Sequence, residues 1–478
     1  MFQFFTIEHY HKQLREGKTS CREVVEYYLD RIEKNKDLNA FVEVFVEEAR
    51  KKAAELDKKR EQNPVLKPLH GVVIAIKDVI CFKDHKLSAG SAILKNFTSL
   101  YTASALQYLL DEDVIVIGNC NCDEFAMGST NENSVYGPVK NAADTTRVPG
   151  GSSGGSAVAV QANLCMLSLG SDTGGSVRQP ADFCGIIGFK PSYGSISRYG
   201  LVAYASSFDQ IGIFGKTVED VSLIWKIMNS PDKKDSTMTL QKLITGKQTE
   251  KKKYKLAVFK QAMNHAALDK EIADSLQRAL NHLDKNFFSV SEEQLELFDF
   301  IVPAYYVLTT AEASSNLARY DGIRYGGTAG EEKELDNFYN RNRTEGFGME
   351  VKRRIMLGTF VLSTGYYDAY YAKAQQVRRL LVNKLENIFN EYDAIVMPVS
   401  PNTAYKLGEQ KDPVSTYLAD IYTVLANLTG VPAIALPLFS HSNNMPFGLQ
   451  VLAKKQDEVT LLAIADLLIK QLAEVEKI

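Results

Sequence analysis

Serine and glycine form two clusters between Pro149 and Pro180, and this stretch holds the residues best suited to chemistry. It begins with Gly-Gly-Ser-Ser-Gly-Gly-Ser at residues 150–156 and ends with Ser-Asp-Thr-Gly-Gly-Ser at residues 171–176. Glycine at this density lets backbone N–H groups converge on one point, which suits either a phosphate group or the oxyanion of an acyl transfer. The spacings of a phosphate-binding loop and of a dinucleotide fingerprint are both absent. The stretch therefore favours a serine nucleophile over a phosphate site.

Two other interpretations of this stretch are weaker. Residues 151–155 satisfy the G-x-S-x-G pattern of a nucleophile elbow around Ser153, but an elbow follows directly on a strand and needs a downstream histidine. The residues before it are not strand-like, and none of His265, His282 and His441 has the surroundings of a triad member. A flexible glycine-serine linker repeats without order, whereas these glycines lie between apolar runs and recur around a second serine.

Without a suitable histidine, a serine nucleophile needs another base, and Lys77 is the candidate. It directly follows the apolar run at residues 71–76, which is typical of a buried strand. A lysine desolvated at the end of such a strand has a lowered pKa and can present a free amine that accepts a proton. The alternative is ordinary, because most lysines at strand ends extend their amine into water.

The elements that position these residues are indicated by short apolar runs that alternate with helical patterns. The runs that predict buried strands are residues 71–76, 114–117, 300–302, 394–396 and 433–436. Apolar residues recur with helical spacing at 272–283, and Ser20 with Glu23 forms a capping box at the start of an earlier helix. This alternation predicts an α/β protein with a largely buried central sheet.

A single domain is expected to span residues 1–478. Within it we expect a helical segment at 1–65, a catalytic core at 66–230, a polar surface excursion at 231–254, and a second half at 255–478 that completes the sheet and the substrate pocket. No period of roughly 20 to 50 residues indicates a repeat array.

Composition excludes several classes of protein. The chain has 478 residues, 45% hydrophobic and 24% charged, with a formal net charge of −3, so nothing marks it as disordered or as a strongly basic nucleic-acid binder. No segment approaches the roughly 18 consecutive apolar residues that cross a bilayer, and residues 1–20 lack a secretory signal pattern, so a cytoplasmic location is expected, with an organellar one as the open alternative. The six cysteines are too sparse for a disulfide framework, and Cys120 and Cys122 lack a second pair of ligands, so no metal is expected.

The lysine and the two serine motifs resemble those of the amidase signature family, in which a lysine, a serine in a cis peptide and a nucleophilic serine form a Ser-Ser-Lys triad. By this resemblance Lys77 is the base, Ser152 the bridging serine and Ser176 the nucleophile. The likeness extends to residues 178–180, 188–191, 193–194 and 206–210. It departs from the family at residues 119–122 and at Val79, and neither departure falls on a triad position. The family's fold implies a central mixed β-sheet covered by helices on both faces.

The resemblance also implies a mechanism. Neutral Lys77 takes a proton through the Ser152 hydroxyl from Ser176, whose oxygen attacks an amide carbonyl. The backbone N–H groups expected to stabilise the resulting oxyanion belong to Thr173, Gly174, Gly175 and Ser176. No metal or other cofactor is required in this chain, because the lysine and these donors supply both proton transfer and charge stabilisation.

More narrowly, the chain resembles the A subunits of the amidotransferases that act on glutamyl-tRNA(Gln) or aspartyl-tRNA(Asn), which hydrolyse glutamine and pass on the ammonia. The stretches that carry this likeness are residues 123–129, 312–319, 321–326 and 365–371. It implies a heterotrimer with the B and C subunits, and aminoacyl-tRNA bound mainly through the B subunit. ATP and Mg are expected to be used by the partner, since this sequence shows no phosphate-binding motif and no basic face. The alternatives are a free-standing amidase and a catalytically silent scaffold.

Glutamine carries an α-carboxylate and an α-ammonium, so a selective site presents a cation to one group and an anion to the other. The resemblance assigns Arg354 to the carboxylate and Asp420 to the ammonium, with Tyr306 lining the pocket. Two alternatives stay open. The adjacent Arg353 could hold the carboxylate instead, and Asp420 could simply cap the helix that follows it.

Overall fold

One mixed β-sheet forms the centre of the computed structural model, which describes residues 2–239, 253–327, 334–409 and 417–472. Its strands, in chain order, are β1 (Phe41–Val44), β2 (Val73–Lys77), β3 (Ile115–Cys120), β4 (Leu167–Asp172), β5 (Ile187–Lys190), β6 (Gln210–Gly215), β7 (Tyr254–Phe259), β8 (Phe288–Glu293), β9 (Ala394–Pro398), β10 (Ala433–Ser440) and β11 (Pro446–Ala453). Within those ranges the spatial order is β1-β3-β2-β4-β6-β5-β10-β11-β9-β7-β8. Strands β3, β2 and β4 are parallel neighbours, as are β9, β7 and β8, and the pairs between these two groups are antiparallel.

Helices surround this sheet. In chain order they are α1 (Ile7–Arg15), α2 (Cys21–Lys34), α3 (Val46–Gln62), α4 (Ser104–Asp111), α5 (Gly154–Gln161), α6 (Arg178–Cys184), α7 (Val218–Met228), α8 (Lys260–Met263), α9 (Lys270–His282), α10 (Ile301–Asn316), α11 (Leu335–Gly346), α12 (Met349–Leu362), α13 (Lys373–Glu391), α14 (Val424–Thr429) and α15 (Glu458–Leu472). The predicted capping box is present at α2, where Ser20 Oγ accepts from the Glu23 N–H and the Glu23 side chain accepts from the Ser20 N–H. Among the residues described, no helix combines the length and the hydrophobicity that a membrane crossing requires.

The core of the sheet is closed to solvent on both sides. Every residue of β2, β3, β4, β5, β6 and β9 is buried. Successive side chains of a strand point to opposite faces, so a strand buried at every position is covered on both faces. The predicted α/β fold, with a central mixed sheet covered on both faces, is confirmed.

The candidate catalytic residues lie where the carboxyl ends of β2 and β4 meet. These two strands are parallel neighbours, so Lys77 at the end of β2 lies beside Ser171 and Asp172 at the end of β4. Ser153, the residue before α5, exchanges hydrogen bonds with Ser171, which places the start of α5 at the same edge. Sheet topology therefore gathers residues that lie 94 positions apart in the sequence.

Four of the five predicted strands are confirmed, as β2, β3, β9 and β10, and the predicted helix near 272–283 is α9. The fifth strand, at residues 300–302, is wrong, because these residues lead into α10. Most of α10 is buried, so it lacks the apolar-polar spacing of a surface helix, and a three-residue apolar run cannot separate such a helix from a strand. Pro303 fits there because a proline in the first helical turn needs no N–H donor.

Two expected segment boundaries also differ from the structure. The segment at 1–65 is not wholly helical, since β1 pairs with β3 at the edge of the sheet. Of the excursion expected at 231–254, residues 240–252 lie outside the described residues, and Tyr254 already belongs to β7.

Candidate active site

The Lys77 side chain is completely buried at the end of β2. Its Nζ lies 2.7 Å from Ser152 Oγ and 2.9 Å from Ser171 Oγ, and it forms no ion pair with a described carboxylate. Burial lowers the pKa of Lys77 to about 8, and the opposing effects of Cys122 and Asp123 are smaller. An uncharged amine is therefore accessible near neutral pH, which is the state that a general base requires.

Ser152 lies in the turn that opens α5, and the peptide bond between Gly151 and Ser152 is cis. The Gly151 N–H donates to Gln179 Oε1 at 3.0 Å, which ties this turn to α6. The neighbouring Ser153 hydroxyl donates to the Ser171 carbonyl at 3.1 Å and accepts from the Ser171 N–H at 3.3 Å. Of the two adjacent serines, only the first presents its hydroxyl to the buried lysine, and the second is occupied by the backbone of β4.

Ser176 lies in the loop between β4 and α6, here called the nucleophile loop (residues 173–177). It is 8% exposed, whereas Lys77 and Ser152 have no exposed surface. The Ser176 hydroxyl makes no hydrogen bond to a described residue. Two members of the predicted triad, Lys77 and Ser152, are therefore in direct contact. The Ser176 hydroxyl lies on the more exposed side, and the Ser152–Ser176 hydrogen bond that a proton relay needs is not formed.

The nucleophile loop differs from the predicted oxyanion hole at one donor. The N–H of Gly175 donates to Asp172 Oδ1 at 2.9 Å and is already occupied. The N–H groups of Thr173, Gly174 and Ser176 make no hydrogen bond to a described residue. Three of the four predicted donors are therefore available to a developing negative charge.

A buried ion pair holds both ends of the nucleophile loop. Asp172 and Arg178 have no exposed side-chain surface, and two hydrogen bonds of 3.0 and 3.1 Å join their charged groups. The guanidinium also donates to the Thr423 carbonyl, Gln450 Oε1 and Asn427 Oδ1, at 2.7 to 3.0 Å. Burial is the largest single effect and would raise the pKa of Asp172, but the charge and hydrogen bonds of Arg178, together with Lys190 and Asn427, lower that pKa to about 2. The pair thus ties the loop to the second half of the chain.

Replacing Arg178 with alanine is expected to lower the free energy of unfolding by about 3 to 5 kcal/mol, because the change leaves a buried carboxylate without its cation. Urea denaturation followed by circular dichroism measures this loss. Arg50→Ala is the control, since Arg50 pairs with Glu26 on the surface and its replacement should leave the unfolding midpoint nearly unchanged. Equal midpoints for the two variants would show that the buried pair does not stabilise the fold.

A second group of charged and aromatic residues surrounds Arg354, which is 4% exposed on α12. Its Nε donates to Glu350 Oε1 and one Nη donates to the Tyr204 hydroxyl, both at 2.8 Å. The guanidinium lies 5.5 to 5.8 Å from the ring centres of Tyr204, Tyr306 and Tyr417. The other Nη makes no hydrogen bond to a described residue, so this end of the Arg354 guanidinium can bind an anion.

Asp420 faces the same aromatic group. Its Oδ2 accepts a 2.7 Å hydrogen bond from the Tyr306 hydroxyl, and burial raises the pKa of Asp420 to about 7. It does not cap the following helix with its side chain, because only its backbone carbonyl accepts from the Thr423 and Val424 N–H groups. Arg353, the alternative cation, pairs with Glu350 at the surface with 44% of its side chain exposed. Of the two arginines, Arg354 is the one that faces Tyr306.

The nucleophile loop contacts the group of charged and aromatic residues around Arg354 and Asp420. A Cβ on Gly174 would lie 2.2 Å from the Tyr305 hydroxyl oxygen, and Tyr305 precedes Tyr306 on α10. Thr423, three residues after Asp420, donates from Oγ1 to the Gly174 carbonyl at 2.6 Å. The structure therefore brings the predicted triad and loop residues together with Tyr306, Arg354 and Asp420 into one site.

Several residues of the site were not predicted. Ser171, the second partner of Lys77, lies one residue before the end of β4, the strand next to β2, and the meeting of parallel strand ends could have indicated it. The four-residue interval between Glu350 and Arg354 is the spacing of a helical ion pair, which could have identified Glu350. The contacts of Arg178 with Asn427 and Gln450 depend on distant parts of the chain, and no local pattern marks them.

The side chains that could ligate a metal ion are spread over the described part of the chain. Within the described ranges there is no group of three histidine, cysteine, aspartate or glutamate side chains that could hold a metal ion. Cys120 and Cys122 are buried free thiols.

Comparison with known proteins agrees with this arrangement. A family model described as Amidase matches residues 23–462. The chain is 45% identical over 470 residues to the A subunit of glutamyl-tRNA(Gln) amidotransferase from Chlorobium phaeobacteroides, covering 97% of this chain and 98% of that protein. It is 47% identical over 457 residues to the protein of the same name from Clostridium botulinum, covering 95% and 94% of the two chains. The solved structure of the A subunit of glutamyl-tRNA(Gln) amidotransferase from Thermotoga maritima shares 38% identity and a TM-score of 0.79, over 96% of this chain and 93% of that one. The chain therefore belongs to the amidase family, the amidase signature family that its lysine and serine motifs resemble.

Proposed function

We propose that this chain is the glutamine-hydrolysing subunit of a tRNA-dependent amidotransferase, and that its ammonia converts Glu-tRNA(Gln), Asp-tRNA(Asn) or both to the amidated forms. The observation that carries the catalytic part is the fully buried Lys77 amine, 2.7 Å from Ser152 Oγ at the edge of the nucleophile loop. The names of the relatives, which align over nearly their full length, support the amidotransferase part.

In the proposed acylation step, neutral Lys77 removes a proton from Ser176 through the Ser152 hydroxyl. The Ser176 oxygen forms a bond to the side-chain carbonyl carbon of glutamine, and the carbonyl oxygen becomes an oxyanion. The N–H groups of Thr173, Gly174 and Ser176 receive this charge, and loss of one such donor typically costs about 3 to 4 kcal/mol of transition-state stabilisation. The Ser152–Ser176 hydrogen bond forms when substrate enters, as catalytic hydrogen bonds often tighten only in the bound complex.

Collapse of the oxyanion breaks the carbon–nitrogen bond. The leaving nitrogen takes back the proton held by Lys77, through Ser152, and departs as ammonia, which leaves a γ-glutamyl ester on Ser176. Water then attacks the ester by the same relay in reverse order, and it releases glutamate and restores the serine. The two Lys77 contacts suit this cycle, because Ser171 Oγ can accept from the amine while Ser152 exchanges the proton.

Arg354 and Asp420 give this amide chemistry its preference for glutamine. We assign the unoccupied end of the Arg354 guanidinium to the α-carboxylate and Asp420 to the α-ammonium, with the Tyr306 ring between them. A small aliphatic amide has neither charged group, so it forms neither of these two charge-assisted hydrogen bonds.

Arg354→Gln is expected to raise the KM for glutamine by roughly 10- to 100-fold with little change in kcat, because it removes a charge-assisted hydrogen bond that is the same in the ground state and the transition state. Steady-state glutaminase kinetics measure the effect. Arg353→Gln is the matched control on the adjacent, exposed residue, and its KM should stay near the parent value. A larger KM change in the control would move the carboxylate site to Arg353.

We further propose that the chain works with the B and C subunits in the cytoplasm and holds no cofactor of its own. ATP and Mg are used by the partner that activates the aminoacyl group, and aminoacyl-tRNA binds mainly through the B subunit. The relatives are named as one subunit of an amidotransferase, which supports an assembly of several chains.

The proposed function predicts a strong preference for glutamine in the assembled enzyme. Purified chain, alone and with the B and C subunits, is assayed for ammonia release from glutamine and from propionamide. In the assembly, kcat/KM for glutamine should exceed that for propionamide by at least about 100-fold, because propionamide lacks two hydrogen bonds to charged groups, each contributing about 1.5 to 3 kcal/mol. Equal turnover of the two amides, unaffected by the added partners, would instead indicate a free-standing amidase.

A further inference from the structure

A surface cleft of about 640 Å³ lies between α13, the end of α14 and the turn after β11. It is separate from the active site. Helix α14 stands between them, because Asn427 contacts Asp172 on the catalytic side, whereas Leu428 and Thr429 line the cleft. Nothing in the proposed glutamine chemistry uses this space.

The rim of the cleft is cationic. Among the described residues that line it are four cations, Arg378, Arg379, Lys454 and Lys455, and one carboxylate, Glu386, so their summed charge is +3 in a chain whose net charge is −3. Two separate segments supply these charges, which is why no continuous basic run marks them in the sequence.

Most of this charge is not neutralised within the described part of the chain. Arg378 donates to the Leu428 carbonyl and to Ser207, and so serves the fold. Arg379, Lys454 and Lys455 are exposed and form no ion pair with a described residue. A concave surface lined by one sign of charge concentrates the field and attracts groups of the opposite sign.

The floor of the cleft is aliphatic and elongated. Val382, Leu385 and Phe389 line it from one face of α13, and Val431 lines it from the opposite wall. From Arg378 to Phe389 this face is about 16 Å long, at 1.5 Å per helical residue, which an extended segment of about five residues can span. The shape fits a short peptide with apolar side chains inside and carboxylates at the rim.

An exposed aromatic cluster continues the surface. Phe360, Tyr366 and Tyr370 are 42 to 44% exposed, and the ring centres of Phe360 and Tyr366 are 4.3 Å apart. The cleft lies next to this cluster along the chain, because Gln375 lines the cleft and donates to the hydroxyl of Tyr371, the residue after Tyr370, at 3.1 Å. Exposed aromatic side chains beside arginine are typical of protein–protein interfaces.

We propose that the cationic cleft and the adjoining aromatic cluster are a docking surface for an acidic segment of a partner protein in the assembly, with apolar side chains seated on α13 and carboxylates paired with Arg379, Lys454 and Lys455. This proposal rests on the amidotransferase assembly proposed above, and it adds the place and the chemistry of one contact between its chains. A protein segment fits better than single-stranded RNA, because the floor is aliphatic and the cluster's rings pack on one another, whereas RNA bases need free aromatic faces.

Charge reversal tests the electrostatic part. Lys454→Glu with Lys455→Glu is compared with Lys51→Glu with Lys52→Glu, a matched pair of lysines on α3 away from the cleft. Binding of each full-length variant to the purified complex of the B and C subunits is measured by surface plasmon resonance at low and high salt. The cleft variant should bind at least about tenfold more weakly at low salt than the control, with a smaller salt dependence. Equal affinities and equal salt dependence would overturn the proposal.

Photo-crosslinking identifies which molecule occupies the cleft. p-Benzoylphenylalanine replaces the exposed Gln375 in the reconstituted assembly, which is first shown to release ammonia from glutamine, and crosslinked peptides are identified by mass spectrometry in the presence of tRNA. A crosslink to a segment of the B or C subunits with at least two carboxylates near an apolar residue is expected. No crosslink, or a crosslink to tRNA, would refute the docking proposal. Because activity is established beforehand, such a result would not count against the proposed function.

Discussion

Replacing Ser176 with alanine is expected to lower kcat for glutamine hydrolysis by a factor on the order of 10⁵ to 10⁶, the size of effect seen when a hydrolase loses its nucleophile. Without the Ser176 oxygen no ester can form, and the oxyanion donors that remain can only assist attack by water. The fold should be unaffected, because the hydroxyl makes no hydrogen bond to a described residue. Ammonia release by the assembled enzyme measures the loss.

Ser156→Ala is the matched control for this change. Ser156 is also a buried serine near the site, but its hydroxyl donates to the Leu169 carbonyl within the fold and faces no reacting group in the proposed mechanism. Its loss should cost stability and leave kcat within about tenfold of the parent value. Residual activity of Ser176→Ala within about 100-fold of the parent enzyme would exclude this serine as the nucleophile.

Replacing Lys77 with methionine is expected to lower kcat by a factor on the order of 10³ to 10⁴, in the range that general-base catalysis supplies. Methionine keeps most of the buried stem and removes the amine, so the fold should lose little stability, and it can gain some, because a buried group that can carry charge is replaced by an apolar one. The kcat of glutamine hydrolysis and the thermal midpoint of the same preparation separate these two effects.

The pH dependence of glutamine hydrolysis tests whether Lys77 acts as a neutral base. The base is the neutral amine, whose fraction grows as pH increases through the lowered Lys77 pKa of about 8. The activity should therefore be low at pH values below 8 and high at pH values above it. Roughly a tenth of the enzyme is then competent at pH 7, against less than a thousandth for a lysine of ordinary pKa. Lys190→Met is the control, since Lys190 is equally buried and has its pKa lowered to about 7, but it donates to the Val431 and Pro191 carbonyls. In Lys190→Met, kcat should still rise with pH near pH 8. If the pH profile of Lys77→Met were the same as that of the parent enzyme, Lys77 would be excluded as the base.

Much of the candidate site could be predicted because its parts are local in sequence. The glycine-serine motifs fix a tight loop by composition, and a lysine after an apolar run is marked as a residue at the end of a buried strand. Ser171 could not be assigned in the same way, because its contact with Lys77 depends on β2 and β4 being neighbours, a fact of sheet order. Likewise, the hydrogen bond from the Gly175 N–H to Asp172 could not be predicted, because it depends on the side-chain conformation of one aspartate at the start of a short loop.

The fold was predictable where one residue pattern allowed one structure. The capping box at Ser20 defined a helix start, and runs of β-branched residues defined β2, β3 and β9. Prediction failed at residues 300–302, because a helix buried on most sides has no polar face to reveal its period. It also missed β1, a four-residue edge strand held by its pairing with β3 between two amphipathic helices. Both failures come from tertiary burial, which overrides local periodicity.

The central claim is that the Ser176 oxygen carries the acyl group, with Lys77 as the base that activates it. Rapid acid quenching of the assembled enzyme during turnover of isotopically labelled glutamine, followed by peptide mass spectrometry, tests it most directly. The account predicts a γ-glutamyl ester on the peptide that contains Ser176, lost in Ser176→Ala and formed far more slowly in Lys77→Met. A glutamyl adduct on another residue, or steady turnover with no covalent adduct at any quench time, would contradict it.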